Sequence, residues 1–150
     1  MNRDFDEMLS ALFAAGAEFL VVGAHALAAH GFPRATGDLD LWVNATPENA
    51  ERVWAALVAF GAPLGDLSID ELSRPGIIFQ MGLPPHRIDV LTKIDGVEFA
   101  DAWTRRLDAT IDGRSLPLLG RVDMITNKRA AGRPKDLVDL EALQSDGARK

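Results

Sequence analysis

The segment that most restricts the fold covers residues 38–43 and reads Asp-Leu-Asp-Leu-Trp-Val. Side chains two positions apart on a β-strand point to the same face, so the three aliphatic side chains share one face and Asp38 and Asp40 share the other. We expect a strand whose aliphatic face lies in a core. Because two neighbouring carboxylates repel each other, the opposite face requires a cation or hydrogen-bond donors.

The composition is typical of a single folded domain over residues 1–150, with 47% hydrophobic and 25% charged residues. The absence of cysteine excludes disulfides, thiolate metal sites and cysteine nucleophiles. The 16 basic and 22 acidic residues give a net charge of −6, which argues against non-specific nucleic-acid binding. We expect a cytoplasmic protein without membrane contact, since the sequence has neither a signal-peptide pattern nor a membrane-spanning run.

Hydrophobic periodicity and turn residues predict an alternation of helices and strands. The predicted helices cover residues 4–15, 24–30, 47–60, 70–73, 98–107, 122–131 and 135–143. The predicted strands cover residues 19–22, 38–43, 77–81 and 87–91, followed by a hairpin over 109–118 with an Asp-Gly turn. This order predicts an α/β or α+β fold, in which helices flank a mixed sheet and a helical pair lies at the C-terminal end.

Asp89 repeats the arrangement of the acidic pair, since apolar residues surround it on the predicted strand 87–91. If this strand lies beside residues 38–43, three carboxylates converge on one point. Carboxylate and phosphate oxygens are ligands that Mg²⁺ prefers, and three acids around two metal ions suit phosphoryl or nucleotidyl transfer. The alternative is that each acid caps a helix or forms a local salt bridge.

A glycine joins the strand at 19–22 to the following helix, in the sequence Val21-Val22-Gly23-Ala24. A turn without a side chain lets phosphates approach the backbone N–H groups at the start of a helix. The alternative is that Gly23 supplies only a backbone conformation with positive φ.

Together, Gly23-Ala24, the run His-Gly-Phe-Pro-Arg-Ala-Thr-Gly at 30–37 and the acids at 38 and 40 resemble a known signature. It is that of the DNA polymerase β-like nucleotidyltransferase superfamily, in which a Gly-Ser or Gly-Gly turn precedes an acid-x-acid strand by about a dozen residues. The form present here is similar to two branches, the bacterial AbiE-type toxins and the small antibiotic-modifying nucleotidyltransferases. The sequence departs from the signature at Ala24, where serine or glycine is usual.

The C-terminal part resembles the toxin branch. Lys128 and Arg133, followed by Lys135-Asp136 and Asp139, are similar to its lysine–arginine and Asp-x-x-Asp motifs. Asp136 and Asp139 lie three apart on one helix face, where they could orient the basic residues or simply face water.

The resemblance implies a minimal, single-domain nucleotidyltransferase that moves a nucleoside monophosphate from a nucleoside triphosphate, such as ATP, to a hydroxyl group. Asp38, Asp40 and Asp89 would be catalytic and would bind Mg²⁺ in a two-metal site, with Asp89 also helping to deprotonate the acceptor. The residues expected to contact the nucleotide are Gly23, Ala24, His25, Arg34, Thr36 and Lys128.

Several functional alternatives stay open at this point. The acceptor could be a tRNA end, a protein hydroxyl or a small molecule such as an antibiotic. A toxin role would bring an antitoxin partner, and the apolar content is compatible with a homodimer. Because Ala24 replaces a hydroxyl or glycine, the second hypothesis is a catalytically silent module of the same fold that binds a nucleotide or a protein partner.

Overall fold

In the computed structural model, residues 2–33, 37–83 and 85–148 are described. The helices are α1 (Arg3–Ala14), α2 (Gly23–Ala29), α3 (Pro47–Phe60), α4 (Ile69–Leu72), α5 (Phe99–Thr104), α6 (Arg121–Ala131) and α7 (Pro134–Ala148). The strands are β1 (Phe19–Val22), β2 (Leu39–Val43), β3 (Ile78–Met81), β4 (Ile88–Leu91), β5 (Leu107–Ile111) and β6 (Arg114–Leu118). Across these ranges, no helix is both long enough and apolar enough to cross a lipid bilayer.

The strands form one mixed sheet in the order β3-β4-β2-β1-β6-β5. β2 lies antiparallel to β1 and parallel to β4, and β1 lies parallel to β6. β3 and β5 are antiparallel to their neighbours and form the two edges. This architecture confirms the predicted fold class and places the strand of the acidic pair beside the strand of Asp89.

Local sequence signals account for the bounds of α3. The side chain of Thr46 accepts a hydrogen bond from the Asn49 N–H, and Pro47 occupies the first turn, where its missing N–H costs no helical hydrogen bond. The helix ends at Gly61, whose φ of 87° lies in the left-handed region that favours glycine. Because each end carries its own signal, the predicted bounds of this helix agree with the structure.

Each face of the sheet has its own apolar core. The first core packs α1, α3 and α4 against one face and contains Leu39, Leu41 and Val43. The second core packs α2, α5, α6 and α7 against the other face and contains the buried side chain of Trp42. The acidic face of β2 is therefore a face that helices cover, and its carboxylates lie in a partly desolvated environment.

The predicted helix over residues 98–107 is too long. α5 ends at Thr104, and Leu107 instead pairs with Leu118 at the start of the β5–β6 hairpin. Asp112 and Gly113 have φ values of 51° and 80°, as a type I′ turn requires. Since this turn fixes the register, the hairpin ladder extends back to Leu107 and overrides the helical pattern of the preceding residues.

The packing of α3 on the first core makes a testable prediction about stability. Leu57 is fully buried, with 0% exposure, whereas the adjacent Val58 is 55% exposed. We expect Leu57→Ala to lower the free energy of unfolding by about 2–5 kcal/mol, because it leaves a cavity. The matched Val58→Ala change should cost less than about 0.5 kcal/mol. Urea denaturation measures both, and equal losses would contradict this orientation of the helix.

Candidate active site

The parallel pairing of β2 with β4 places acidic side chains in one row across the sheet. Asp40 is the register partner of Asp89. Val22 on β1 and Gln80 on β3 continue the same row at either end. Because side chains that are aligned across neighbouring strands share a face, all four point toward the side of the sheet that α2 and α6 cover.

The surroundings of Asp40 disfavour the ionised form of its carboxyl group. Burial is the main cause that raises the pKa of Asp40 to about 6, and the negative charges of Asp89 and Asp38 act in the same direction. The positive charge of Arg87 has a smaller, opposite effect. At neutral pH Asp40 is thus ionised at a cost in free energy, which an additional cation would reduce.

Arg87 contacts the other two carboxylates of the cluster. Its Nε donates to Oδ1 of Asp89 at 2.9 Å, and its Nη2 donates to Oδ2 of the same carboxylate at 3.3 Å. The same Nη2 lies 3.3 Å from Oδ2 of Asp38. The backbone N–H of Arg87 also donates to Oδ1 of Asp38, at 3.4 Å. A guanidinium therefore already bridges two of the three acids.

Gly23 brings the start of α2 against the acidic row. Its φ is +70°, and a Cβ atom at this position would lie 2.2 Å from Oδ2 of Asp40. Both properties favour glycine, since other residues rarely adopt this φ and since any side chain would displace the carboxylate. The positive φ at Gly23 agrees with one of the two sequence-based explanations, and the approach of phosphates to this turn stays a prediction.

A cavity of about 690 Å³ opens in front of this row. The predicted site residues that line it are Gly23, Ala24, Asp38, Asp40, Asp89 and Lys128. His25 does not line it, because its ring packs edge-on against Phe5 with a centroid distance of 5.7 Å. Burial there lowers the pKa of His25, although a hydrogen bond to the Asp38 backbone opposes this effect. The predicted contacts Arg34 and Thr36 lie outside the described residues.

Helices α6 and α7 close the cavity with a cluster of paired charges. Nζ of Lys128 lies 3.4 Å from Oδ1 of Asp136 and 3.1 Å from Oδ2 of Asp139, and Arg133 also binds Asp136. Burial alone would raise the pKa of Asp136. The hydrogen bond from Arg133 and the two positive charges outweigh burial and lower this pKa below its ordinary value. Both acids therefore orient Lys128. Of the two alternatives for Asp136 and Asp139, orienting the basic residues agrees with the structure and facing water does not.

Other polar residues of the cavity were not predicted. They include Gln80, Arg87, Lys93, Asp95 and Asn127. Arg87 precedes Asp89 by two positions, so strand alternation could have placed both on one face. No sequence pattern predicts that Lys93 and Asn127 line the cavity, because tertiary packing alone brings the loop after β4 against α6. Nδ2 of Asn127 donates to the backbone carbonyl of Asp95 at 3.0 Å and fixes that contact.

The chain has the nucleotidyltransferase fold. A Thermotoga maritima protein provisionally named a nucleotidyltransferase matches 100% of this chain over 97% of its own length, with a TM-score of 0.55 and 12% identity. The solution structure of the antibiotic-resistance factor ANT(2″)-Ia matches 95% of this chain over 82% of its own, with a TM-score of 0.62 and 16% identity. The crystal structure of its complex with adenylyl-2″-tobramycin matches 95% of this chain over 86% of its own, with a TM-score of 0.61 and 16% identity.

No protein-family model and no curated protein sequence matches the chain. At 12–16% identity, the structural likeness shows a shared fold. The fold that the sequence resemblance implied is thereby confirmed, and the function has to be argued from the residues of the cavity.

The raised pKa of Asp40 predicts an unusual pH dependence of stability. The folded state binds the Asp40 proton more tightly than the unfolded state, so this group destabilises the protein progressively as pH rises from about 4 to about 6. In metal-free buffer we expect Asp40→Asn to raise the free energy of unfolding by about 1–3 kcal/mol at pH 7.5. The gain should be absent below pH 4, where both side chains are neutral. Urea titrations at the two pH values measure it, and a pH-independent difference would contradict this electrostatic account.

Gly23→Ala should lower the free energy of unfolding by more than the unfavourable backbone conformation alone accounts for. Gly16 is the matched control, because its φ is +69° and nothing lies within 4 Å of a Cβ added there. Gly16→Ala should cost about 1–2 kcal/mol for the left-handed backbone, and Gly23→Ala at least about 1 kcal/mol more. In an Asp40→Ala background most of the excess should be lost, because only the Cβ atom of residue 40, at 3.2 Å, remains close to the added atom. A double-mutant cycle of unfolding free energies measures this change. An undiminished excess would mean that the Asp40 carboxylate is not what the Gly23 position accommodates.

Proposed function

We propose that this chain transfers a nucleoside monophosphate from a nucleoside triphosphate to a hydroxyl group with the help of a divalent cation. The observation that carries the proposal is the acidic row, in which Asp40 faces Asp89 across two parallel strands with Asp38 beside them. The row opens into a cavity whose opposite wall holds Lys128. Carboxylates packed together at a cost in free energy are common at functional sites, and this supports the proposal.

The donor set suits Mg²⁺. Asp40 and Asp89 on adjacent strands, with Asp38 directly before β2, supply hard oxygen ligands. Gly23 leaves the Asp40 carboxylate a space that any side chain would fill. Within the described ranges, no three His, Cys, Asp or Glu side chains stand in metal-binding geometry, and Arg87 engages two of these carboxylates. A bound metal would supply charge neutralisation at the phosphates and activation of the attacking oxygen.

The resemblance assigns the roles, and the positions of the residues support them. Asp38 and Asp40 would hold the metal. Asp89 would also hold it and would accept the proton of the acceptor hydroxyl on a carboxylate oxygen. A bond forms between the acceptor oxygen and the α-phosphorus, the bond from that phosphorus to the bridging oxygen breaks, and pyrophosphate leaves. Lys128 stabilises the charge that develops on pyrophosphate, and its pairing with Asp136 and Asp139 holds Nζ in place beforehand.

In this proposal the nucleotide lies along the wall of the cavity that contains Gly23 and Asp40. The backbone N–H groups of Gly23 and Ala24, next to Asp40, would meet phosphate oxygens. The resemblance assigns Arg34 and Thr36 to the same task. Ala24 offers only its backbone, so the phosphate contact that a serine hydroxyl makes in related sequences is absent here.

A small molecule that carries a hydroxyl group is the acceptor class that we propose first. The complex of ANT(2″)-Ia with an adenylylated antibiotic supports this choice and supports ATP as the donor to test first. A tRNA end and a protein hydroxyl are the other two classes, and a toxin with an antitoxin partner would belong to one of them. The net charge of −6 disfavours a long RNA.

A second candidate function is a silent module that binds a nucleotide without chemistry. The observation that favours it is the ion pair of Arg87 with both Asp38 and Asp89, together with the missing hydroxyl at Ala24. The two candidates differ in their need for Asp89, which the enzyme requires as a proton acceptor and which a binding module would tolerate as asparagine.

Thermal unfolding with each nucleoside triphosphate, with and without Mg²⁺, tests the proposed site. A ligand that binds only the native state should raise the Tm of the wild type by about 5–10 °C at one hundred times its Kd, and only with Mg²⁺. We expect Asp40→Asn to abolish the shift. Asp4→Asn removes an exposed carboxylate from α1 and should retain it. A shift of equal size in Asp40→Asn would contradict the site.

Pyrophosphate release in the presence of small-molecule, tRNA and protein acceptors then separates enzyme from module. We expect release by the wild type with one acceptor class and at least about a hundredfold slower release by Asp89→Asn. Nucleotide binding without release for every acceptor class would favour the silent module.

A further inference from the structure

We propose that Arg87 is a positioning residue that holds the Asp38 and Asp89 carboxylates in the metal-free protein and is displaced from them when a divalent cation binds. This inference rests on the proposed function, because it concerns how the same acidic site is loaded. It assigns to Arg87 the place of a resident cation that partly neutralises two carboxylates while no metal is present.

The strand geometry makes Arg87 part of the acidic face. Arg87 lies directly before β4 and two positions before Asp89, so the extended chain projects both side chains to the same side of the sheet. The backbone carbonyl of Arg87 accepts a hydrogen bond from the Leu39 N–H at 2.9 Å, which fixes the main chain against β2. The guanidinium can therefore leave the carboxylates only by a rotation of the side chain, while the strand pairing stays intact.

The contacts of Arg87 occupy the oxygens that a metal would use. Both carboxylate oxygens of Asp89 accept hydrogen bonds from Arg87, and Oδ2 of Asp38 lies 3.3 Å from Nη2. A divalent cation at the centre of the three carboxylates would lie against the guanidinium, and the two positive charges would repel. Because the divalent cation and the guanidinium compete for the same carboxylate oxygens, we infer that a bound cation replaces the guanidinium.

The charge of the cluster favours exchange. When all groups are ionised, the negative charges of Asp38, Asp40 and Asp89 lie close together. Among the described residues, the positive charge of Arg87 acts on all three, and that of Arg133 acts on Asp40. The guanidinium contacts Asp38 and Asp89, and it affects Asp40 only through its charge. A divalent cation carries twice the charge and can contact all three carboxylates. The Arg87 side chain is 32% exposed, so water and the open cavity are available to it after release.

Binding of Mn²⁺ without nucleotide, followed by electron paramagnetic resonance, tests the competition. We expect Arg87→Gln to bind Mn²⁺ at least about tenfold more tightly than the wild type, because the competitor is gone. Lys93→Gln is the matched control, since it removes a positive charge from the wall of the same cavity. It should change the affinity less than about threefold. Arg87→Lys, which keeps the charge but not the bidentate geometry, should be intermediate.

A second measurement observes the displacement in the wild type and needs no variant to fold. The Arg87 Nε–H signal, assigned through its own side chain by NMR, should move toward the position of a solvated guanidinium as Mg²⁺ is added. A signal that keeps its position at Mg²⁺ saturation would overturn the proposal.

The outcomes separate this proposal from the proposed function. Equal or weaker Mn²⁺ binding by Arg87→Gln, or an equal gain in Lys93→Gln, would overturn displacement and leave the metal site in place. An absence of Mn²⁺ binding by the wild type and all three variants would contradict the metal site itself, and the role of Arg87 with it.

Discussion

Main-chain hydrogen bonds between β2 and β4 hold two carboxylates opposite each other despite their mutual repulsion. The same ladder places aliphatic residues of both strands, such as Leu41 and Val90, in the first core on the reverse face. Burial of that face stabilises the pairing, and the pairing in turn fixes the distance between Asp40 and Asp89. The electrostatic cost on one side of the sheet is thus offset by hydrophobic contacts on the other.

The charges around the cavity form two groups that differ in how completely they are paired. On α6 and α7, Asp136 and Asp139 bind Lys128 and Arg133, so cations and acids hold each other in fixed positions. On the sheet, Arg87 serves two carboxylates, and the pKa of Asp40 remains raised to about 6. One wall of the cavity is therefore preorganised, and the other holds Asp40, whose ionised form a bound cation would stabilise.

Much of the fold and of the acidic cluster could be predicted from the sequence, because the signals are local. The alternation over residues 38–43 predicts which side chains share a face of that strand. The single acid at 89 among apolar residues predicts the same for the second strand. The adjacency of the two strands is tertiary, and no local pattern encodes it. For the same reason no sequence pattern predicts that Lys93 and Asn127 line the cavity. The orientation of His25 depends on which face of α2 is buried, and Ala26 and Leu27 occupy that face.

The two apolar cores lie on opposite faces of the sheet and differ in whether their residues line the cavity. In the described part of the chain, no residue of the first core lines the cavity, whereas the second core shares Val22, Leu27, Leu119 and Met124 with it. Substitutions beneath α1 and α3 therefore change no side chain that lines the cavity, although they change the stability of the sheet that carries it. Substitutions beneath α2 and α6 change both at once, so a protein engineer who seeks new specificity would begin there and compensate in the first core.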